Sequence, residues 1–237
     1  MLLRSLALLL ALASPIAFGY WEQVPGEASA IAIGPEGAVW TVGTDRESGG
    51  FGIYRWDGAQ FRKAPGIAGV RIAVDARGNP WVVDSFNNVR RWSASAWQNL
   101  PGWGKDVATG ADGSVWSVGL EGGLWQFRGQ RFEKIYPGGF ARVAVGPDGE
   151  PWAVDDKGQL VRRSASGWES VRSGTAAIAM GPNRAIWVLD TAQAANVFEP
   201  DVGWLRRGGP FREIAVGPDG VAWAVTQDFR IFRRMED

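Results

Sequence analysis

The sequence predicts an all-β protein, a six-bladed β-propeller of four-stranded antiparallel blades. Three observations predict it. A motif that reads Ile-Ala-Val-Gly-Pro-Asp-Gly-Val-Ala-Trp-Ala-Val from Ile214 to Val225 is written six times. Each period holds four short apolar runs separated by turn residues. The two ends of the chain supply the halves of one incomplete unit. The other copies of the motif run from Ile31 to Val42, Ile72 to Val83, Val107 to Val118, Val143 to Val154 and Ile178 to Leu189. Their tryptophans, Trp40, Trp81, Trp116, Trp152, Trp187 and Trp223, are separated by 41, 35, 36, 35 and 36 residues. A fixed period in this range marks a repeat architecture whose units stack to bury a common core.

The fourth unit shows the elements in order. Arg142-Val143-Ala144-Val145 is a first strand, and Gly146-Pro147-Asp148-Gly149 a turn in which proline presets φ and glycine accepts a positive one. Pro151-Trp152-Ala153-Val154 is the second strand, Gln159 to Arg163 the third after an Asp-Asp-Lys-Gly loop, and Trp168 to Val171 the fourth. Runs rich in valine, isoleucine and tryptophan between glycine, aspartate and serine read as hairpins. Four such strands in about 35 residues make one propeller blade. The last unit stops after a third strand, Arg230 to Arg234, and the stretch Tyr20-Trp21-Glu22-Gln23-Val24 ahead of the first unit matches the missing fourth. Pairing these two segments closes the ring and removes the open edges of a linear array. Thr44 to Gly52 lengthens one loop of the first unit by about five residues.

Residues 1 to 19 carry one charge, Arg4, and an apolar core from Leu6 to Ala13 that is too short to span a bilayer. The stretch reads as a cleaved signal peptide, so the protein is expected to be exported, periplasmic or secreted, with no membrane span after cleavage. Residues 20 to 237 read as one propeller domain. No cysteine is present, so neither disulfides nor thiolate sites hold it. Twenty-five basic residues balance 25 acidic ones with no charged run, which argues against nucleic acid as a partner.

Fourteen tryptophans need explanation. Six lie on second strands. Trp21, Trp97, Trp168 and Trp204 lie on fourth strands, with Phe61 and Phe132 completing that column. Both faces of a blade pack on neighbours, so these aromatics read as wedges, each burying about 150–250 Å². Trp56, Trp92, Trp103 and Trp125 fall outside the two columns, and Trp125, which shares a column with Tyr54, Phe198 and Phe232, reads as packing too.

Topology sorts the loops. With the first strand innermost, the Gly-Pro-Asp-Gly turns share one face with the turns between strands three and four. The acidic residues there, Glu36, Asp112, Asp148 and Asp219, stand one per turn and do not form the multi-oxygen cage a calcium ion needs. No metal site and no cofactor are expected. The opposite face gathers the more varied loops and the connections between blades. It carries the candidate binding residues Arg71, Trp103, Lys105, Asp106, Phe140, Arg142, Arg212 and Glu213, with Phe211 between them. Asp84, Asn87, Asn88, Asp155, Asp156 and Asp190 lie in the facing loops. Arg71, Asp106, Arg142 and Glu213 share one repeat column beside the central channel. Their charges either pair across its mouth or form a polar ring that, with Trp103 and Phe140, suits a sugar or an anionic head group.

Histidine is absent as well as cysteine, which excludes a Ser-His triad, a cysteine nucleophile and the usual zinc sites. A paired-carboxylate glycosidase remains open chemically, yet no aspartate or glutamate breaks the repeat as a grafted catalytic group would. The chain is therefore expected not to be an enzyme.

The repeated motif, together with Arg-Ile-Phe-Arg-Arg at 230–234 and Gly-Trp-Leu-Arg-Arg-Gly-Gly at 203–209, resembles the tectonin repeat over residues 20 to 237. Tectonin proteins of the tachylectin-1 and fish-egg lectin type are six-bladed propellers that bind glycans and bacterial lipopolysaccharide. The resemblance implies a lectin-like module for cell-surface or envelope glycan, with avidity from several weak sites on a rigid ring. The site residues above come from topology rather than from the family. The alternative is a propeller scaffold that recognises an envelope protein. Gly-Pro-Asp-Gly followed by tryptophan also resembles the repeats of virginiamycin B lyases, which are seven-bladed and use a histidine that this chain lacks.

Overall fold

The computed structural model describes residues 19–93 and 95–235, and the expected signal peptide lies, but for Gly19, outside the described residues. No helix occurs among them. The chain begins with β1 (Tyr20–Glu27) and then builds five whole blades. The first is β2 (Ala30–Ile33), β3 (Val39–Glu47), β4 (Gly50–Trp56) and β5 (Phe61–Gly69). The second is β6 (Arg71–Val74), β7 (Pro80–Val83), β8 (Asn88–Ser93) and β9 (Ala96–Trp103). The third is β10 (Asp106–Thr109), β11 (Val115–Val118), β12 (Leu124–Phe127) and β13 (Phe132–Tyr136). The fourth is β14 (Phe140–Val145), β15 (Pro151–Asp155), β16 (Leu160–Ser164) and β17 (Gly167–Arg172). The fifth is β18 (Thr175–Met180), β19 (Ile186–Asp190), β20 (Ala195–Glu199) and β21 (Gly203–Gly208). The sixth joins β22 (Glu213–Val216), β23 (Ala222–Val225) and β24 (Arg230–Met235) to β1, in the order β1-β24-β23-β22. All six sheets are four-stranded and every pairing within them is antiparallel. The protein is a six-bladed propeller.

Ring closure follows the expected register. Trp21 faces Arg234, Gln23 faces Phe232 and Val24 faces Ile231. The Trp21 indole donates to the Arg207 carbonyl at 2.6 Å, and its ring packs on Phe211 and Trp187 of the fifth and sixth units. The N-terminal strand thus binds its own blade through the backbone and the neighbouring blade through its side chain.

The core is divided among the seams between blades. Trp40, Val42 and Ile53 of the first blade pack with Ile72, Val74 and Val82 of the second. Equivalent clusters join the second to the third, the third to the fourth, and so on to the sixth and first, where Ile31 and Val39 meet Ala215, Trp223 and Ile231. Second-strand tryptophans also cross two seams by hydrogen bond. Trp40 Nε1 donates to the Gly78 carbonyl and Trp116 Nε1 to the Gly149 carbonyl, each at 3.2 Å. A buried indole gains about 4–6 kcal/mol of gross transfer energy from ~150–250 Å², so the seams rather than the hairpins hold the ring.

The registers correct two sequence readings. Phe198 does not share the column of Trp125, Tyr54 and Phe232. It falls two residues further on, with Trp56, Trp92 and Phe127, directly opposite the fourth-strand aromatics. There it forms one of a series of cross-strand pairs: Trp56–Phe61, Trp92–Trp97, Phe127–Phe132 and Phe198–Trp204, with centroids 4.9–5.3 Å apart. The extra residues of the first unit are not a loop either. They extend β3 and β4 into a longer hairpin that turns at Gly49, whose φ is +96°, because the added backbone groups find partners across the strand pair.

The aspartates of the loops serve the backbone. Asp84 Oδ1 accepts the amides of Phe86 and Asn88, Asp155 Oδ1 those of Lys157 and Gln159, and Asp190 Oδ1 those of Ala192 and Ala194. In the turns of the other face, Asp112, Asp148 and Asp219 each accept the amide two residues on. This is the Asx turn, in which a carboxylate stands in for a carbonyl. Among the described residues no cluster of three or more acidic side chains has the arrangement to hold a metal ion.

Candidate functional site

The eight residues singled out by topology separate into three groups. Arg71, Asp106, Arg142 and Glu213 meet at the mouth of the central channel, which is lined by the first strands of all six blades and holds about 130 Å³. Glu213 Oε1 accepts from Arg71 at 2.8 Å and from Arg142 at 3.2 Å. Arg142 also approaches Asp106 at 3.9 Å, and the other Asp106 oxygen accepts the Val143 amide at 3.0 Å. The charges do pair across the channel mouth. Burial raises the Asp106 pKa above the ordinary carboxylate value, against the pull of Arg142, Arg71 and the Val143 amide. Burial acts to lower the Arg142 pKa, but the carboxylates of Glu213 and Asp106 more than offset it, so the guanidinium stays charged. With two cations and two acids facing one another, the mouth is a satisfied network rather than an open anion site.

Phe140 and Arg212 are occupied with packing. Phe140 lies 5.0 Å from Trp168, beside the cluster that joins the third and fourth blades. Arg212 stacks over Phe229 at 4.8 Å. Lys105 uses its amide to bond the Val118 carbonyl and leaves its side chain exposed.

Trp103 stands apart from all of these. It ends β9, opposite Asn88, and is 65% exposed, which for a tryptophan on a folded domain is a large uncovered apolar face. It forms one wall of a groove of about 380 Å³ between the second and third blades. Leu120 and Glu121, from the loop between β11 and β12, rim that groove, and Trp125 and Lys134 line its sheet side. Trp125 and Lys134 are register partners, and the ammonium lies 5.9 Å from the indole centroid. The sheet position of Trp125 follows from the strand alternation that puts Ser117, Trp125 and Lys134 on one face of the blade. Close approach of the two blades depends on Gly104, where a Cβ would collide with the Ser117 hydroxyl.

The site thus gathers two tryptophans, an aliphatic rim, a cation and a carboxylate on the connection face of a closed ring. The sequence pointed to Trp103 and missed Trp125, which had been grouped with packing positions. The pairing with Lys134 gave no separate signal, because Tyr54 in the same column pairs with Lys63; what distinguishes Trp125 is the groove beside it.

A closed six-bladed propeller with an aromatic groove on its connection face is the class of protein that these features define. Within that class, residues 68–176 match the family model of the Tectonin domain, consistent with a tectonin-repeat β-propeller. No curated protein matches the sequence. Among solved structures, the fold is similar to that of a streptogramin B lyase, with 14% identity, a TM-score of 0.65, and 94% of this chain and 100% of that chain covered. It is similar to YCF48 bound to D1 peptide, with 14% identity, a TM-score of 0.60, and 95% and 97% covered. It is also similar to a gluconolactonase from Xanthomonas campestris, with 10% identity, a TM-score of 0.65, and 93% and 89% covered.

These likenesses overturn the expectation that the chain is not an enzyme. That expectation rested on residue types that are absent and on a regular repeat, yet a lyase and a lactonase share this fold over nearly the whole chain. At this identity the comparisons establish the architecture, and the chemistry belongs to the sites each protein carries on it.

Proposed function

We propose that the protein is a lectin-like propeller that binds carbohydrate of the cell surface or envelope, such as lipopolysaccharide, in the groove of Trp103 and Trp125. The observation that carries this reading is the exposed Trp103 indole facing a groove that also holds Trp125, Glu121 and Lys134. The C–H face of a pyranose stacks on an indole, while a carboxylate and an ammonium beside it take the hydroxyls. The Tectonin match over residues 68–176 covers the strands that build this groove and supports the same reading. The expected export signal would place the protein where such glycans are found.

The test is binding of the purified protein to a broad glycan array that includes lipopolysaccharides, beside a Trp103→Ala variant first checked for native circular dichroism. Sugar-dependent binding by the parent and its loss in the variant is the expected result. Glycan binding unaffected by the substitution moves the site elsewhere.

A second reading, an envelope scaffold that docks a protein segment, has its own observation. Phe86, Trp103 and Leu120 are 62%, 65% and 45% exposed and all belong to the connection face, and YCF48, which shares the fold, is a structure with a peptide bound. Failure of every glycan, with Phe86→Ala and Trp103→Ala both weakening capture of apolar peptides from a defined peptide array, would favour it.

A further inference from the structure

We infer that the groove between the fifth and sixth blades, on the face of the Gly-Pro-Asp-Gly turns, is a second ligand site built for a saccharide unit that carries a carboxylate. It extends the glycan-binding reading and rests on it for the saccharide class. The observation behind it is a break in the repeat. In four blades, the third-strand residue opposite the tryptophan is an arginine, and its guanidinium lies over the indole: Arg55 over Trp40, Arg91 over Trp81, Arg162 over Trp152 and Arg233 over Trp223, at 5.7–6.0 Å. The third blade has Gln126 at that position. The fifth has Val197, and its fourth-strand partner is Leu205, where Gln98 and Glu169 pair with the arginine of their blades. At this seam, where the long cation is absent, lies a groove of about 660 Å³.

A second, independent feature lies on the same groove. Trp187 is 5% exposed and lines it, and its indole N–H is buried with no hydrogen-bond partner among the described residues. Its counterparts Trp40 and Trp116 donate to the glycine carbonyl in the next blade's turn. The matching glycine here is Gly220, and no carbonyl at this seam accepts from the Trp187 indole. A buried donor left unsatisfied costs about 1–3 kcal/mol unless something accepts from it.

The walls define what would accept. Val197, Phe198 and Pro200 offer an apolar surface for a ring face. Arg184 and Arg207 stand on the rim, and Glu199 lies 3.7 Å from Arg207. Guanidinium groups pair with carboxylates in a planar, two-point geometry, whereas the acidic side chains accept from hydroxyls. A hexuronate satisfies all three demands: a ring face, a carboxylate and hydroxyls, with one oxygen taking the Trp187 N–H.

The experiment is a titration of the ¹⁵N-labelled full chain with glucuronate, glucose and acetate, following the indole N–H signals. A saturable shift of the Trp187 signal with glucuronate, at least tenfold tighter than with glucose or acetate, is the expected result. Val197→Arg, which restores the residue of the other blades, should abolish that shift, and Arg207→Gln should weaken it about tenfold or more. The Trp103→Ala variant should titrate like the parent, so failure of the groove between the second and third blades is read separately. No shift of Trp187 with glucuronate overturns the proposal, as do equal responses to glucose or to acetate. A shift that survives both Val197→Arg and Arg207→Gln overturns it as well. If Val197→Arg does not fold, the parent and Arg207→Gln decide.

Discussion

Replacing Glu213 with alanine tests whether the charged network at the channel mouth is a structural keystone. One carboxylate oxygen receives both Arg71 and Arg142, from the second and fourth blades, and so ties three non-adjacent blades together. Side-chain exposure is 14% for Glu213, 21% for Arg142 and 30% for Arg71, so the arginines are only partly removed from water. Removing one partner of a fully buried pair costs about 3–5 kcal/mol because the other charge is left uncompensated. Partial access to water lowers this, and Asp106 still faces Arg142, which brings the expected cost to about 2–4 kcal/mol. For a domain of this size, each kcal/mol moves the melting temperature by about 2–4 °C, so a fall on the order of 5–15 °C is expected. Glu213→Gln keeps a hydrogen-bond acceptor without the charge and should fall in between. Scanning calorimetry and urea unfolding give both numbers. A Glu213→Ala protein that melts within about 2 °C of the parent, with unchanged denaturant slope, would refute the reasoning.

Other substitutions probe the seams and the closure. Trp116→Phe removes an indole N–H that reaches Gly149, whereas Trp187→Phe removes one without a partner; by urea titration the first should cost about 1 kcal/mol more than the second. Trp21→Ala should cost about 3–5 kcal/mol, since the ring packs on Phe211 and Trp187 at the closing seam; a loss below ~1 kcal/mol would mean the N-terminal strand does not lock the ring. Asp106 gives a pH signature. Its folded pKa is raised, so its contribution to stability is full below the ordinary value of 3.8 and is lost as pH rises through the folded pKa. Asp106→Asn should flatten that part of the stability–pH curve, and urea midpoints measured from acid to neutral pH show whether it does.

The repeat made the fold legible because each unit restates the same hairpin grammar, so a misread turn in one unit is corrected by five others. Closure was legible too, since a propeller's missing strand must come from the far end of the chain. What one period hides is the departure from it. Trp125 looked like packing because the sequence shows its column but not that its cross-strand neighbour is Lys134 at the edge of a groove. Phe198 was placed two residues off because Leu205 and Val197 replace the polar pair that marks the register in other blades. The four charges of the channel mouth were visible as a column, yet whether they repel, bind a ligand or pair depends on distances across the ring. The roles of Asp84, Asp155 and Asp190, which the sequence only placed in the loops of the connection face, were hidden for the same reason: their backbone partners lie two to four residues away and are set by local geometry.

The central claim is that the indole of Trp103 is a stacking platform for sugar. Calorimetric titration of the glycan found on the array into the parent, Trp103→Phe and Trp103→Ala tests it most directly. The account predicts that phenylalanine, which keeps an aromatic face, retains affinity within about tenfold, while alanine loses more than tenfold, above about 1.4 kcal/mol. Equal affinity of all three proteins for the glycan would contradict it.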